Sequence, residues 1–211
     1  SNMRFAINSN LIAKDSIIDK LIEKAQGIKK FHIYTSCEAV GAQAEYIRDG
    51  LDYQQWLRNT TRILDETNTS VSIMMTINSL CLFSITEFLD EVYALKEHTG
   101  SKSPSVSLNL VRFPSFQSIE RLIDYLVTVD APHRRTSNPV TLWRDFKTFY
   151  AQYDVRRNKN INVFPKILTD WVESIPDTDS SIMELAHKEG WILNPDNKNI
   201  ETPLGIYIKN V

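Results

Sequence analysis

The sequence predicts an α/β protein: a parallel sheet of about four strands with covering helices, followed by a mainly helical C-terminal region. Two observations carry this. Strand-like and helix-like segments alternate through roughly the first 125 residues, at spacings typical of strand–helix–strand units. The composition, 42% hydrophobic and 24% charged over 211 residues, is that of an ordinary globular chain, long enough for one sizeable core or for one core plus a small appended domain.

The elements follow in order. Ser1-Asn2 ahead of Met3 reads as a protease-cleavage scar and is set aside. Met3 to Asn8 reads as a short buried strand. Asp15 or Ser16 caps a helix whose apolar residues recur at Ile17, Ile18, Leu21, Ile22 and Ala25, with Gly27 as its stop. Phe31 to Thr35 has the β-branched and aromatic character of a second strand. Two helical stretches follow, Gln43 to Arg48 and Asp52 to Glu66. In the second, Trp56, Ile63 and Leu64 share a face that Arg58 and Arg62 avoid. Ser70 to Ile77 is a third strand. Ser84, with Glu87 three residues on, forms a capping box for a helix from Ile85 to about His98. After the loop Gly100 to Pro104, Val106 to Val111 is a fourth strand and Phe116 to Val127 an amphipathic helix.

The chain then changes character. Residues 131–139, with two prolines and Arg134-Arg135, read as a polar linker between a first domain (3–130) and a C-terminal region (140–211). Val140 to Tyr153, Val163 to Ser174 and Ser180 to Lys188 read as helices. The tail from Pro195 looks extended, with a strand at Gly205 to Ile208. Two closures of the first domain fit the alternation: an open doubly wound sheet, or an arc of a barrel. Both place ligands at the carboxyl ends of the strands.

Several function classes are excluded or set aside. A balance of 24 basic against 26 acidic residues, net −2, argues against nucleic-acid binding by bulk charge. The apolar stretch Leu80 to Ile85 is far too short to span a bilayer, and a cytoplasmic location is the expectation. Six glycines include no GxGxxG or Walker-type loop, and neither HExxH nor GxSxG is present. The four histidines, His32, His98, His133 and His187, are scattered. Cys37 and Cys81 are too few for an iron–sulfur cluster or a four-cysteine zinc site. Cys37 has no histidine placed to activate it and reads as a small buried hydrophobe. The basic pairs Arg134-Arg135 and Arg156-Arg157 read as a solvated face, and Trp56, Trp143, Trp171 and Trp191 as packing residues.

What remains are the strand ends: Asn8-Ser9-Asn10, Thr35-Ser36-Cys37-Glu38, Thr76-Ile77-Asn78-Ser79 and Asn109-Leu110-Val111-Arg112. The segment Tyr34 to Leu64 is the sharpest. A strand ends in Ser36-Cys37-Glu38, Ile47-Arg48-Asp49-Gly50 follows, and a helix starts behind Asp52-Tyr53 with Asn59 six residues after Tyr53. This segment resembles the fourth strand and following helix of radical S-adenosylmethionine (radical SAM) enzymes. Phe5 to Leu11 is similar to the third strand of that family, with Ser9-Asn10-Leu11 where the family usually has Thr-Asn-Gly. Val71 to Asn78 and Val106 to Pro114 are similar to its fifth and sixth strands. Asp154 to Arg157, with Phe164-Pro165, resembles the C-terminal part of twitch-domain members.

The resemblance implies the C-terminal part of a partial TIM-type barrel, beginning near the third strand, so that the family's CxxxCxxC loop and its iron–sulfur [4Fe-4S] cluster belong to a missing N-terminal barrel half. It implies that Ser36, Arg48 and Asn10 sit at the S-adenosylmethionine site, with Arg48 and Ser36 holding the methionine part. Arg48 suits a carboxylate because its guanidinium is a planar donor fork; the alternative is a surface pair with Glu45 or Asp49. Asn78 either contacts the ribose or caps a turn. Leu110 either packs on the adenine or belongs to the sheet core. Glu38 either faces substrate or the cofactor's amino group, or caps the next helix.

The reading is therefore a fragment of a radical SAM enzyme. Joined to its missing half it would abstract hydrogen from a peptide or small molecule; alone it is expected to be inactive and to retain neither cofactor. Its open sheet edge predicts self-association or covering by the C-terminal tail. The alternative is a non-catalytic α/β binding or interaction module. A hydrolase or transferase is the weakest reading, for want of a nucleophile–base pair.

Overall fold

The computed structural model describes residues 4–100, 103–112, 114–119, 139–188, 193–194 and 207–208. The chain divides into two compact units, Ser1–Leu110 and Val111–Val211.

The first unit is α/β. Its strands are β1 (Phe5–Asn8), β2 (Phe31–Ser36), β3 (Ser70–Ile77) and β4 (Ser105–Leu110), and its helices α1 (Asp15–Gln26), α2 (Gly41–Ile47), α3 (Tyr53–Glu66) and α4 (Ile85–Thr99). All strand pairs are parallel and the order is β1-β2-β3-β4, the order of the chain. A doubly wound sheet reverses its order at a switch point; these four strands contain no reversal.

The core is built from alternate strand residues. Register pairs Ile7 with Ile33, Ile33 with Val71, and Ile73 with Val106. Ile33, Val71, Ile73 and Met75 are fully buried beneath the helices, as are Trp56 of α3 and Phe88 of α4. The Trp56 indole N–H donates to Thr35 Oγ1 (2.9 Å) and its ring lies 5.9 Å from that of Phe88, so α3 and α4 cover this face of the sheet. Arg62 of α3 reaches Asp19 of α1 at 2.9 Å, joining a third helix to the same layer.

The opposite face is made by the intervening residues: Ala6 and Asn8; His32, Tyr34 and Ser36; Ser70, Ser72, Met74 and Thr76; Ser105, Ser107 and Asn109. It carries hydroxyls, amides and two aromatic rings, but no formally charged side chain and no branched aliphatic one. Parallel strands are ordinarily apolar on both faces. Here hydrogen bonds cross from strand to strand instead, between His32 Nε2 and Ser72 Oγ (2.8 Å) and between Ser72 and Ser105 Oγ (2.6 Å).

Three local expectations are corrected. β1 is an exposed edge strand rather than a buried one, with Phe5 49% exposed. Helix α1 takes neither Asp15 nor Ser16 as its cap. Lys14 stands at that position without a side-chain bond, and Asp15 lies in the first turn. The capping box at Ser84 does not form; the Ser84 hydroxyl accepts instead from the Val40 N–H (3.4 Å), which ties the β2–α2 loop to α4.

The second unit contains α5 (Pro139–Arg157), α6 (Lys166–Ser174) and α7 (Asp179–Lys188), with a two-residue antiparallel pair β5 (Leu193–Asn194) and β6 (Tyr207–Ile208). Pro139 opens α5, where a missing N–H costs nothing. Trp143, Phe146 and Trp171 form its aromatic core, with Phe146 and Trp171 5.2 Å apart, and Arg144 Nη1 bonds both Asp179 oxygens at 3.0 Å. Of the predicted linker 131–139, residues 131–138 lie outside the described residues and Pro139 is the first residue of α5; most of the helix predicted from Phe116 to Val127 also lies outside them, as do Arg134, Arg135 and Trp191.

Candidate functional site

A cleft of about 560 Å³ opens at the carboxyl ends of β1 and β2, on the polar face. Asn8, Tyr34, Ser36 and Met74 form its floor, all from the alternate set that faces away from the helices. The loop after β1 contributes Ser9, Asn10 and Ile12 to one wall. The turn between α2 and α3 contributes Arg48, Asp49, Gly50 and Leu51 to the other. Its size lies within the usual range for small-molecule sites, about 300–1,000 Å³.

The first wall is a strained turn held from behind. Leu11 is wholly buried and has φ +54°, the left-handed region that a leucine enters at a cost of roughly 1–2 kcal/mol. Asn59 of α3 holds it: its amide nitrogen donates to the carbonyls of Leu11 (2.8 Å) and Ala13 (3.1 Å). Gln55 adds a bond to Ala13 O at 3.2 Å. Ser9 Oγ accepts from Leu11 N (3.1 Å), which keeps Asn10 at the rim.

The second wall is set by charge. Arg48, at the end of α2, pairs with neither Glu45 nor Asp49. Its Nε and Nη2 both reach Glu38 Oε2, at 2.8 and 2.7 Å. Glu45 is engaged elsewhere, accepting from the first N–H of α3 at Tyr53 (3.0 Å). Glu38 is only 3% exposed, and burial raises its carboxyl above the ordinary value while the adjacent Arg48 works against the rise. Gly50, at φ +82°, supplies the turn that returns the chain to Asp52, which caps α3 by accepting from Gln55 N (2.8 Å).

Of the six residues singled out from sequence, the fold brings Asn10, Ser36 and Arg48 to the cleft lining. Glu38 stands immediately behind, bonded to Arg48. Asn78 is not brought there. Its Oδ1 accepts from Leu80 N (2.9 Å) and Cys81 N (3.1 Å), and its amide donates to Thr76 O (3.2 Å), which is the turn-capping role. Leu110 is not brought there either; it lies on the other face of the sheet, at the β4 edge, 60% exposed. Among the lining residues not singled out are the three strand residues Asn8, Tyr34 and Met74. The signal for them was the period-two alternation of all four strands, plainest in Ser105-Val106-Ser107-Leu108-Asn109-Leu110.

Neither thiol is arranged for chemistry. Burial pushes Cys37 up to about 12, with its Sγ on Ala39 O (3.4 Å). Burial pushes Cys81 up to about 11, with its Sγ on Asn78 O (3.2 Å). Both are hydrogen-bonded within their own turns, and they do not fit an iron–sulfur cluster, which needs thiolates. Among the described residues no three His, Cys, Asp or Glu side chains converge on a metal position, and no helix is long and apolar enough to cross a membrane. No family model, curated protein or solved structure matches the chain.

Proposed function

We propose that the chain is the C-terminal part of a radical SAM enzyme and that the cleft receives the methionine end of S-adenosylmethionine. The observation that carries this reading is convergence. Asn10, Ser36 and Arg48 come from three separate segments, and all three line one cleft of suitable size. The strand order supports a barrel arc. Right-handed crossovers between strands laid down in chain order keep every helix on one side, leaving the other face to look inward. The polarity of that face supports the same arrangement, since a hydrated or ligand-filled lumen tolerates hydroxyls and amides where a second helix layer does not.

Within this reading each group has a task. Arg48 offers a permanently charged donor fork to the ligand carboxylate. Ser36 adds a hydroxyl at the strand end, and Asn10 an amide at the rim. Tyr34 gives an aromatic surface on the floor. The chain binds and orients; the reductive chemistry of the family belongs to an iron–sulfur part outside it, and no step of the proposal passes through Cys37 or Cys81. The second reading is a binding module with no redox role of its own, which the same cleft and the same buried thiols fit equally. The coding sequence ahead of Met3 separates the two, since an in-frame CxxxCxxC belongs only to the first.

The binding claim is tested by heteronuclear NMR with S-adenosylmethionine titrated into the low-millimolar range. Amide shifts confined to residues 8–12, 34–36 and 48–51 are expected. Shifts that are absent, or that fall outside the cleft, overturn it.

A further inference from the structure

We infer that Glu38 is a positioning residue that fixes the guanidinium of Arg48 for a ligand carboxylate, rather than a group that touches ligand itself. The inference rests on the binding reading above.

The geometry makes the case. Glu38 is buried at the start of the β2–α2 loop, while the Arg48 side chain, 30% exposed, reaches the cleft surface. The carboxylate holds Nε and Nη2 through a single oxygen, Oε2. Among the described residues nothing bonds Nη1, so one corner of the donor fork stays available. An arginine at a loop has many rotamers and loses much freedom on ordering. A buried acceptor across its Nε edge removes most of that freedom before ligand arrives, which is how preorganisation strengthens binding. Stability alone is a poor account of the pair, because desolvating a carboxylate offsets much of what the ion pair returns.

Two near-isosteric changes separate positioning from charge. Glu38→Gln keeps an oxygen at the acceptor position and removes the charge. Glu38→Asp keeps the charge and withdraws the oxygen by one methylene. The wild type, both variants, Arg48→Ala and the Glu38→Asp/Arg48→Ala double variant are titrated with S-adenosylmethionine by the same NMR mapping. Thermal unfolding serves as the control for folding. Positioning predicts affinity within about three-fold of wild type for Glu38→Gln and a loss on the order of ten-fold for Glu38→Asp. The double variant should bind no more weakly than Arg48→Ala alone. The reverse ordering of Gln and Asp, or equal affinities with altered melting temperatures, overturns the inference while leaving the binding reading intact. A wild type that does not bind S-adenosylmethionine overturns both.

Discussion

The two faces of the sheet are written in alternate residues of the same four strands, yet they obey different rules. On the helix-covered face, Ile33, Val71, Ile73 and Met75 lie under Trp56 and Phe88 and are shut off from water, while Leu108 and Leu110 at the β4 edge stay exposed. On the other, neighbouring positions carry Tyr34, Ser72, Met74 and Thr76, and the contacts that cross strands are hydrogen bonds such as His32 to Ser72. One face holds the fold together by apolar burial. The other contributes the floor of a cleft, where directional groups matter more than area. A one-residue register slip would exchange them, so the apolar alternation also determines which side chains face the cleft.

The sharpest way to break this comparison is to strike the covered face. Trp56→Ala removes a fully buried indole and leaves Thr35 Oγ1 without its donor. A loss of about 3–5 kcal/mol is expected in denaturant unfolding. A loss below about 1 kcal/mol would mean that α3 does not seal the core.

The Arg48–Glu38 pair lies between the two regimes and gives a pH-dependent effect. The folded state raises the Glu38 carboxyl, so burial of its charge costs stability as pH rises through the folded value. Arg48 opposes that rise. In Arg48→Ala the opposition is gone and the folded carboxyl climbs further. The penalty, about 1–3 kcal/mol near neutrality, should therefore be smaller at pH 5 than at pH 8. Urea unfolding at the two pH values measures it, and a penalty independent of pH would show that the carboxylate is not the cause.

The smallest effect belongs to the open face. Met74 adjoins Ile73 in sequence but lies on the cleft floor, half-buried. Met74→Ala should cost less than about 1 kcal/mol, well under the range for a fully buried methionine. A cost comparable to that of Trp56→Ala would mean that the polar face is packed as a second core.

Much of the first unit was legible in advance. The Trp56, Ile63 and Leu64 stripe of α3 appears as a buried face, and the third strand runs from Ser70 to Ile77 as its β-branched character suggests. The candidate site was only half legible. Asn10, Ser36 and Arg48 were named because the resemblance to radical SAM enzymes implies them at the cofactor site, and all three line one cleft. Asn78 fits the same description, but its amide is consumed by the turn at Leu80 and Cys81. Ser84 looks like a helix cap, yet its hydroxyl serves Val40, 44 positions away. The Asn78 turn is local, its donors two and three positions on, whereas the Ser84 choice depends on which donor lies nearest in space, and local spacing carries no information about that.

By itself, then, the sequence determined what periodicity can encode: helices at apolar intervals of three and four, strands at intervals of two, and hence a parallel sheet with one apolar face. Tertiary structure decided the rest. It placed the strands in chain order, forced Leu11 into a left-handed turn braced by Asn59, and gave Arg48 to Glu38 rather than to Glu45 or Asp49. The physical reason is range. Periodicity acts between residues a few positions apart, whereas each of these outcomes depends on a partner that only the folded chain brings within reach.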